Sequence, residues 1–165
     1  GLSWFAENVL PYFPEYKLFI TGSIVENDEL LKTLKTHNTE WLGRVSRSEL
    51  IKLRQESSAV VIPNILQPNQ NDFEAYGYVT IESVASGGLV VASNYQGLAD
   101  SLKKGQLGFL AEASDLKSWV SVLNDVINLE KKEKIQIITE RTSYIKNNLT
   151  LDKVFKETEK LYESL

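Results

Sequence analysis

The 165-residue chain is 42% hydrophobic and 24% charged with a formal net charge of −4, the balance of a single soluble globular domain with a substantial core. A net negative charge without a long basic block argues against non-specific nucleic-acid binding. The lack of cysteine excludes disulfides and thiolate metal sites and is compatible with a reducing cytoplasm.

The first apolar stretch, Leu2 to Phe13, is interrupted by Glu7, Asn8 and Pro11, so it reads neither as a signal peptide nor as a membrane span. Leu2, Phe5, Ala6, Val9 and Leu10 recur at helical spacing and predict a helix from about Ser3 to Phe13, limited by Pro11 and Pro14. The chain has no methionine and opens inside this helical pattern, so it reads as a piece of a longer protein. Lys17 to Thr21 is a short apolar strand closed by Gly22. Asn27 or Asp28 can cap a helix through Leu30, Leu31 and Leu34, and Trp41-Leu42 is a brief strand closed by Gly43. Ser46 followed by Glu49 is a capping box for a helix carrying Leu50, Ile51 and Leu53.

Ser58 to Pro63 reads as a buried strand, and a polar loop from Asn64 to Phe73 follows. Beyond the central stretch described below, Leu89 to Ala92 is a strand, Gly97 to Asp100 opens a short helix, and Gly108 to Leu110 is a last strand. Ser114-Asp115 caps a long helix with Leu116, Trp119, Val120, Leu123 and Ile127. A further helix holds Ile135, Ile138, Thr142 and Ile145. The last is capped by Thr150 and carries Val154, Phe155, Leu161 and Tyr162. Strands alternating with helices predict an α/β fold, a parallel sheet with helices on both faces, as one domain over residues 1–165. Ligands bind such sheets beyond the carboxyl ends of the strands, where Gly22, Gly43, Asn64 and Ser93 fall.

The best furnished of these ends is the stretch from Asp72 to Ser93. Gly77 lies where a loop becomes a helix, and Gly87-Gly88 ends that helix. A helix beginning at Gly77 offers its first N–H groups and its dipole to an anion, and a glycine lets a phosphate approach the backbone. Glu74 precedes this helix end and Glu82 lies in its second turn. Two carboxylates beside an anion site do not both bind the anion. Their natural partners are hydroxyl groups, which implies a sugar on each side of a phosphate. Taken alone, Glu82 is also readable as a solvated glutamate gaining about 0.3–1 kcal/mol from the helix dipole. Tyr76 reads either as packing with a satisfied hydroxyl or as lining of a sugar pocket. Gly22 alone reads as a turn, and Arg44 alone as a solvated side chain. His37, the only histidine, reads as solvated. Trp4, Trp41 and Trp119 read as packing, and Lys131 to Lys134 as an exposed helix start.

Glu74-Ala75-Tyr76-Gly77 followed by Glu82 resembles the E-x7-E motif of retaining glycosyltransferases with two Rossmann-like domains, the GT-B, family 4-like, group 1 enzymes. Ala85 to Ser93 is similar to that family's A-x-G-x-P-V-V-A-S continuation, with Leu89 in place of proline. The resemblance covers nearly the whole chain as the C-terminal, donor-binding half of the GT-B fold. Gly1 corresponds to the glycine of a K-G step, and Pro63 to a strand-ending proline.

The resemblance implies these roles. Glu82 accepts hydrogen bonds from ribose hydroxyls. Glu74, the candidate catalytic residue, holds hydroxyls of the transferred sugar. The backbone of Tyr76, Gly77 and Tyr78 meets the diphosphate, Ala75 belongs to the same donor-binding stretch, Gly22 lets the nucleotide pass close by, and Arg44 and Val45 face the base. The implied reaction moves a sugar from a nucleotide-diphosphate donor to an acceptor hydroxyl with retention of configuration. No metal or other cofactor is implied, because helix dipole and basic side chains stabilise the charge.

The implied acceptor is a saccharide or lipid-linked saccharide on an N-terminal domain outside this sequence, with no nucleic-acid partner. The implied place is the cytoplasm, either free or peripheral to the inner face of a membrane through the N-terminal domain. In the family, the basic pair that neutralises the diphosphate and one central strand both precede the K-G step. The chain alone is therefore expected to bind donor without turnover, and its sheet to be closed up, gapped or filled by another segment. Alternatives are a sugar-nucleotide epimerase or phosphorylase on the same architecture and a non-catalytic nucleotide-sugar-binding or flavodoxin-like interaction module. A phosphorylase would need a pyridoxal lysine that the sequence does not reveal, and a receiver would need acidic residues at its first strand end.

Overall fold

A computed structural model describes residues 1–23, 38–66 and 74–164. The helix expected from Asn27 or Asp28, His37, and Asp72-Phe73 lie outside them. The described elements are α1 (Leu2–Asn8), a 3₁₀ turn (Leu10–Tyr12), β1 (Leu18–Thr21), β2 (Thr39–Gly43), α2 (Arg47–Glu56) and β3 (Val60–Ile62). They continue with α3 (Tyr78–Ala85), β4 (Val90–Ser93), α4 (Gln96–Ser101), β5 (Phe109–Ala111), α5 (Leu116–Ile127), α6 (Lys131–Asn148) and α7 (Leu151–Glu163). The single helix expected up to Phe13 is instead α1 plus the 3₁₀ turn. Pro11 has no N–H to donate and closes off the regular helix.

All pairings are parallel. β1 joins β2, with Leu18 opposite Thr39, and β3-β4-β5 form a separate ladder, with Val61 opposite Val91 and Ala92 opposite Leu110. Among the described residues no strand links β1 to β3, so the sheet is gapped. Strand β4 is buried on both sides, and its alternation divides the core. Val91 faces the cluster of Phe5, Val9, Leu10, Trp119, Leu123 and Val126, drawn from α1, the 3₁₀ turn that follows it and α5. Val90 and Ala92 face Val84 of α3, Leu98 of α4, Leu102 just past its end, and Ile145 of α6. Phe5 meets Trp119 edge to face at 5.3 Å, and Trp119 is fully buried as expected.

One packing expectation fails. Trp41 is 46% exposed, and its indole N–H donates to the Gly22 carbonyl at 2.9 Å, so it braces a strand end instead of filling the core. Helix α7 leaves Val154, Phe155, Leu161 and Tyr162 exposed. No helix among the described residues is long and apolar enough to cross a membrane.

The capping box at α2 forms as the sequence predicts. Ser46 Oγ accepts from Glu49 N at 3.2 Å and Glu49 Oε2 accepts from Ser46 N at 2.8 Å. The Ser46 hydroxyl and the Ser46 backbone N–H both favour the ionised Glu49 carboxylate and hold it below its ordinary value of 4.5. A depressed folded value adds stability above the unfolded value and loses it as pH falls through the folded one. Ser46→Ala should therefore cost about 1 kcal/mol at neutral pH and less in acid. Urea titrations at pH 7 and pH 3 check this, and an equal loss at both would contradict the assignment.

Candidate functional site

The segment from Glu74 to Gly77 is fixed by partners more than twenty positions away. Glu74 N donates to Gln96 Oε1 at 2.9 Å, and Gly97 N donates to Glu74 O at 3.0 Å. A Cβ on Gly97 would lie 2.3 Å from the Ala75 carbonyl oxygen, so only glycine lets α4 meet the segment this closely. Gln96 itself has a positive φ of 50°. Glu74 then turns back along the chain, and its Oε1 accepts from Gly77 N at 2.9 Å.

Gly77 is the N-cap of α3 in a left-handed conformation at φ 71°, with no side chain capping the helix. Thr80 N and Thr80 Oγ1 both donate to Gly77 O, at 2.9 and 2.7 Å. Thr80 Oγ1 also lies 2.7 Å from Ser101 Oγ in a buried pair that pins the first turn of α3 to α4. Tyr78 and Val79 hold the first two helical positions, so their N–H groups have no partner within the helix. No acidic residue occupies the first turn. The result is a rigid, open, electropositive helix end.

This geometry refines one sequence expectation. The Gly77 N–H is already bonded to Glu74, so the N–H groups left for an anion are those of the following turn, at Tyr78 and Val79. Tyr76 is half-buried and Tyr78 is 72% exposed, and their rings meet edge to face at 5.2 Å. Ala75 is exposed on the outside of the segment.

Glu82 lies one turn beyond Tyr78 on the same face of α3. Its side chain is 66% exposed, and Oε2 is 3.7 Å from Nη2 of Arg54, whose own side chain is only 10% exposed. Burial lowers the Arg54 pKa, and the Glu82 charge opposes that shift. Arg54 Nη1 also donates to Ser86 Oγ at 3.3 Å. Between α2 and α3 lies a cleft of about 570 Å³ whose lining includes Arg47, Leu50, Arg54, Gln55 and Glu82.

At the neighbouring strand ends, Gly22 N donates to Gly43 O at 2.8 Å. A Cβ on Gly22 would meet nothing within 4 Å, although its φ of 126° favours glycine. Arg44 Nη2 contacts Ser23 Oγ at 3.5 Å on the surface, and Val45 is half-buried beside the start of α2. Ser93 Oγ donates to Asn64 O at 2.5 Å and Asn94 N to Ala111 O at 2.7 Å, tying the carboxyl ends of β3, β4 and β5 together.

The structure thus joins Glu74 through Gly77 into one unit, with Glu82 a turn further on the helix it leads into. Gly22, Arg44 and Val45 form a second group, at the ends of β1 and β2. Sequence reasoning missed Gln96 and Arg54, and read Gly97 only as a helix opening. Gln96 and Gly97 hold Glu74, and Arg54 contacts Glu82. Their only sequence signal was position, just after a strand for Gln96-Gly97 and in a last helical turn for Arg54.

The chain is similar to proteins already known. The Glycosyl transferases group 1 family matches residues 5–143. Glycogen synthase of Mycobacterium tuberculosis (strain ATCC 25618 / H37Rv) is 26% identical over 119 residues, spanning 70% of this chain and 27% of that protein. The capsular polysaccharide biosynthesis glycosyltransferase CapM of Staphylococcus aureus is 25% identical over 152 residues, 86% of this chain and 40% of that one. Among solved structures, a glycosyltransferase from Rickettsia africae ESF-5 superposes with a TM-score of 0.79 at 17% identity, covering 98% of this chain and 44% of its own. Anabaena Alr3699/HepE in complex with UDP-glucose superposes with a TM-score of 0.72 at 16% identity, covering all of this chain and 46% of its own. The chain spans less than half the length of each of these proteins. Its Rossmann-like α/β fold is that of the GT-B glycosyltransferases, and the chain belongs to the group 1 glycosyl transferases.

Proposed function

We propose that this chain is the nucleotide-sugar-binding domain, residues 1–165, of a retaining glycosyltransferase that passes a sugar to an acceptor hydroxyl. The observation that carries this reading is the open N-terminus of α3, capped by left-handed Gly77, with Glu74 folded beneath it and Glu82 one turn along. In this reading the diphosphate lies against the N–H groups of Tyr78 and Val79. Glu82 takes the ribose hydroxyls from the α2 side, where its carboxylate is open to solvent. Glu74 uses the oxygen not bonded to Gly77 for a hydroxyl of the transferred sugar. Gly22, Arg44 and Val45 offer the surface for the base. The solved complexes of the Anabaena protein with UDP and with UDP-glucose support a donor of this chemical class.

A thermal-shift screen of the chain with UDP, GDP and ADP, each free and as its sugar, tests the reading. A ligand at a hundredfold excess over its Kd stabilises the folded state by about 2.7 kcal/mol. One nucleotide base should therefore raise Tm saturably, with the free diphosphate and the nucleotide sugar both active and the bare nucleoside much weaker. A flat response across all six ligands at millimolar concentration would overturn the proposal.

A further inference from the structure

Arg54 is a cation that the fold has taken out of water. Its side chain is only 10% exposed, although it springs from the last turn of α2, where an arginine is ordinarily solvated. The backbone there is closely held. Arg54 O accepts from Ser57 Oγ at 3.2 Å, and a Cβ on Gly88 would lie 3.4 Å from that same oxygen. A Cβ on Gly87 would lie 3.5 Å from Gln55 Cγ. The glycines that follow α3 thus let the end of α2 pack against them, and the Arg54 side chain starts from a fixed point.

From there the guanidinium reaches two residues one turn apart on α3. Nη1 donates to Ser86 Oγ at 3.3 Å, and Nη2 lies 3.7 Å from Glu82 Oε2. Ser86 is set to accept, because its own hydroxyl proton goes to the Glu82 carbonyl at 2.6 Å. The planar fork of an arginine spans such a pair, whereas a lysine ammonium is a single point of charge. Burial disfavours the Arg54 cation, and the Glu82 charge offsets part of that cost. Glu82 is the only carboxylate lining the cleft between the two helices. At about 570 Å³ the cleft falls within the roughly 300–1,000 Å³ of small-ligand sites. Glu82 Oε1 has no hydrogen bond or ion pair among the described residues, so the fork engages one oxygen and leaves the other open.

We propose that Arg54 is a positioning residue: its fork fixes one oxygen of Glu82 and thereby aims the other at the ribose, making the site selective for ribose over deoxyribose. The inference rests on the reading of Glu82 as the ribose acceptor. An exposed glutamate left to itself gives up side-chain freedom when it grips a ligand, and that loss weakens binding. Arg54 transfers the loss to folding. The ribose hydroxyls then meet a carboxylate already oriented, and a ligand that lacks them gains nothing from it.

The test titrates UDP, GDP and ADP and their 2′,3′-dideoxy counterparts against the parent chain, Arg54→Met and Arg54→Lys. The parent should bind the ribonucleotide of its preferred base at least about tenfold more tightly than the dideoxy form, the lower end for hydrogen bonds to a charged group. Methionine approaches the length of arginine without its charge and suits a buried place, and Glu82 is left facing water, so Arg54→Met should remain folded. Its affinity for the dideoxy form should stay within about twofold of the parent, while its ribose preference falls to about threefold or less. Arg54→Lys, with the charge and without the fork, should fall short of the parent's preference as well. A purely structural tie would instead lower stability and weaken both ligands equally, leaving the ratio intact. Full ribose preference in either variant, beside a parent that shows it, overturns the proposal and leaves the reading of Glu82 standing. A parent that binds the nucleotide without preferring ribose overturns that reading and this inference together.

Discussion

Replacing Glu82 with alanine is expected to weaken the free nucleoside diphosphate and its nucleotide sugar alike, by roughly 10- to 150-fold. That range corresponds to about 1.5–3 kcal/mol for hydrogen bonds to a charged group. Glu82 also has a structural partner to control for. Its side chain is two-thirds exposed, but Arg54, 3.7 Å away, is only 10% exposed, and the Glu82 charge offsets part of the burial of that guanidinium. Arg54 keeps its bond to Ser86 Oγ in the variant, and chemical denaturation of Glu82→Ala alongside the titrations separates any loss of folding stability from the loss of affinity. Ribose is common to both ligands, which is why the loss should not depend on the sugar.

Glu74 needs a different substitution. Its Oε1 accepts the Gly77 N–H, so alanine would remove a loop tie as well as a sugar contact and would weaken both ligands. Glutamine keeps an acceptor oxygen for Gly77 and loses only the charge and the second acceptor. Glu74→Gln should therefore weaken the nucleotide sugar and leave the free diphosphate within about twofold, a difference under 0.5 kcal/mol. Calorimetric titration of both ligands against both variants decides the matter. If Glu82→Ala changes neither affinity, or Glu74→Gln lowers both equally, the division of labour is wrong.

What could be read from the chain beforehand was mostly local. Ser46 with Glu49, Asp115 and Thr150 are caps whose partners lie two or three positions away, so residue type and spacing suffice to find them. The start of α3 at Gly77 is of the same kind, because a left-handed turn residue before an apolar helix is a local event. The strands were visible because a buried run such as Val90 to Ser93 has no other stable place.

The misreadings share a long-range cause. Trp41 reads as packing from its spacing, yet it lies on an exposed strand face next to Gly22. Arg54 reads as an ordinary last-turn cation of α2, and only the packing of α2 beside α3 brings it to Glu82.

Gly97 shows how a distant contact governs the site, and Gly97→Ala is expected to cost about 1–3 kcal/mol of stability. The added Cβ would meet the Ala75 carbonyl oxygen at 2.3 Å, the Ala75 carbonyl carbon at 2.4 Å and the Tyr76 nitrogen at 2.5 Å. All three are backbone atoms, so no side-chain rotation relieves the clash. Either α4 or the Glu74–Gly77 segment must move. Moving α4 disturbs Leu98, which is fully buried in the second core cluster and whose Cδ2 lies 2.5 Å from the Cβ position of Gly77. The segment has fewer buried contacts, so it is the part expected to yield, breaking the Gly97 N to Glu74 O bond and the Glu74 N to Gln96 bond with it. Affinity for the free diphosphate should then fall by at least tenfold, about 1.4 kcal/mol, although Gly97 itself makes no proposed ligand contact. Chemical denaturation and titration of the same preparation separate the two effects. A variant as stable as the parent, with unchanged affinity, would show that the close approach of α4 is not what holds the site in shape.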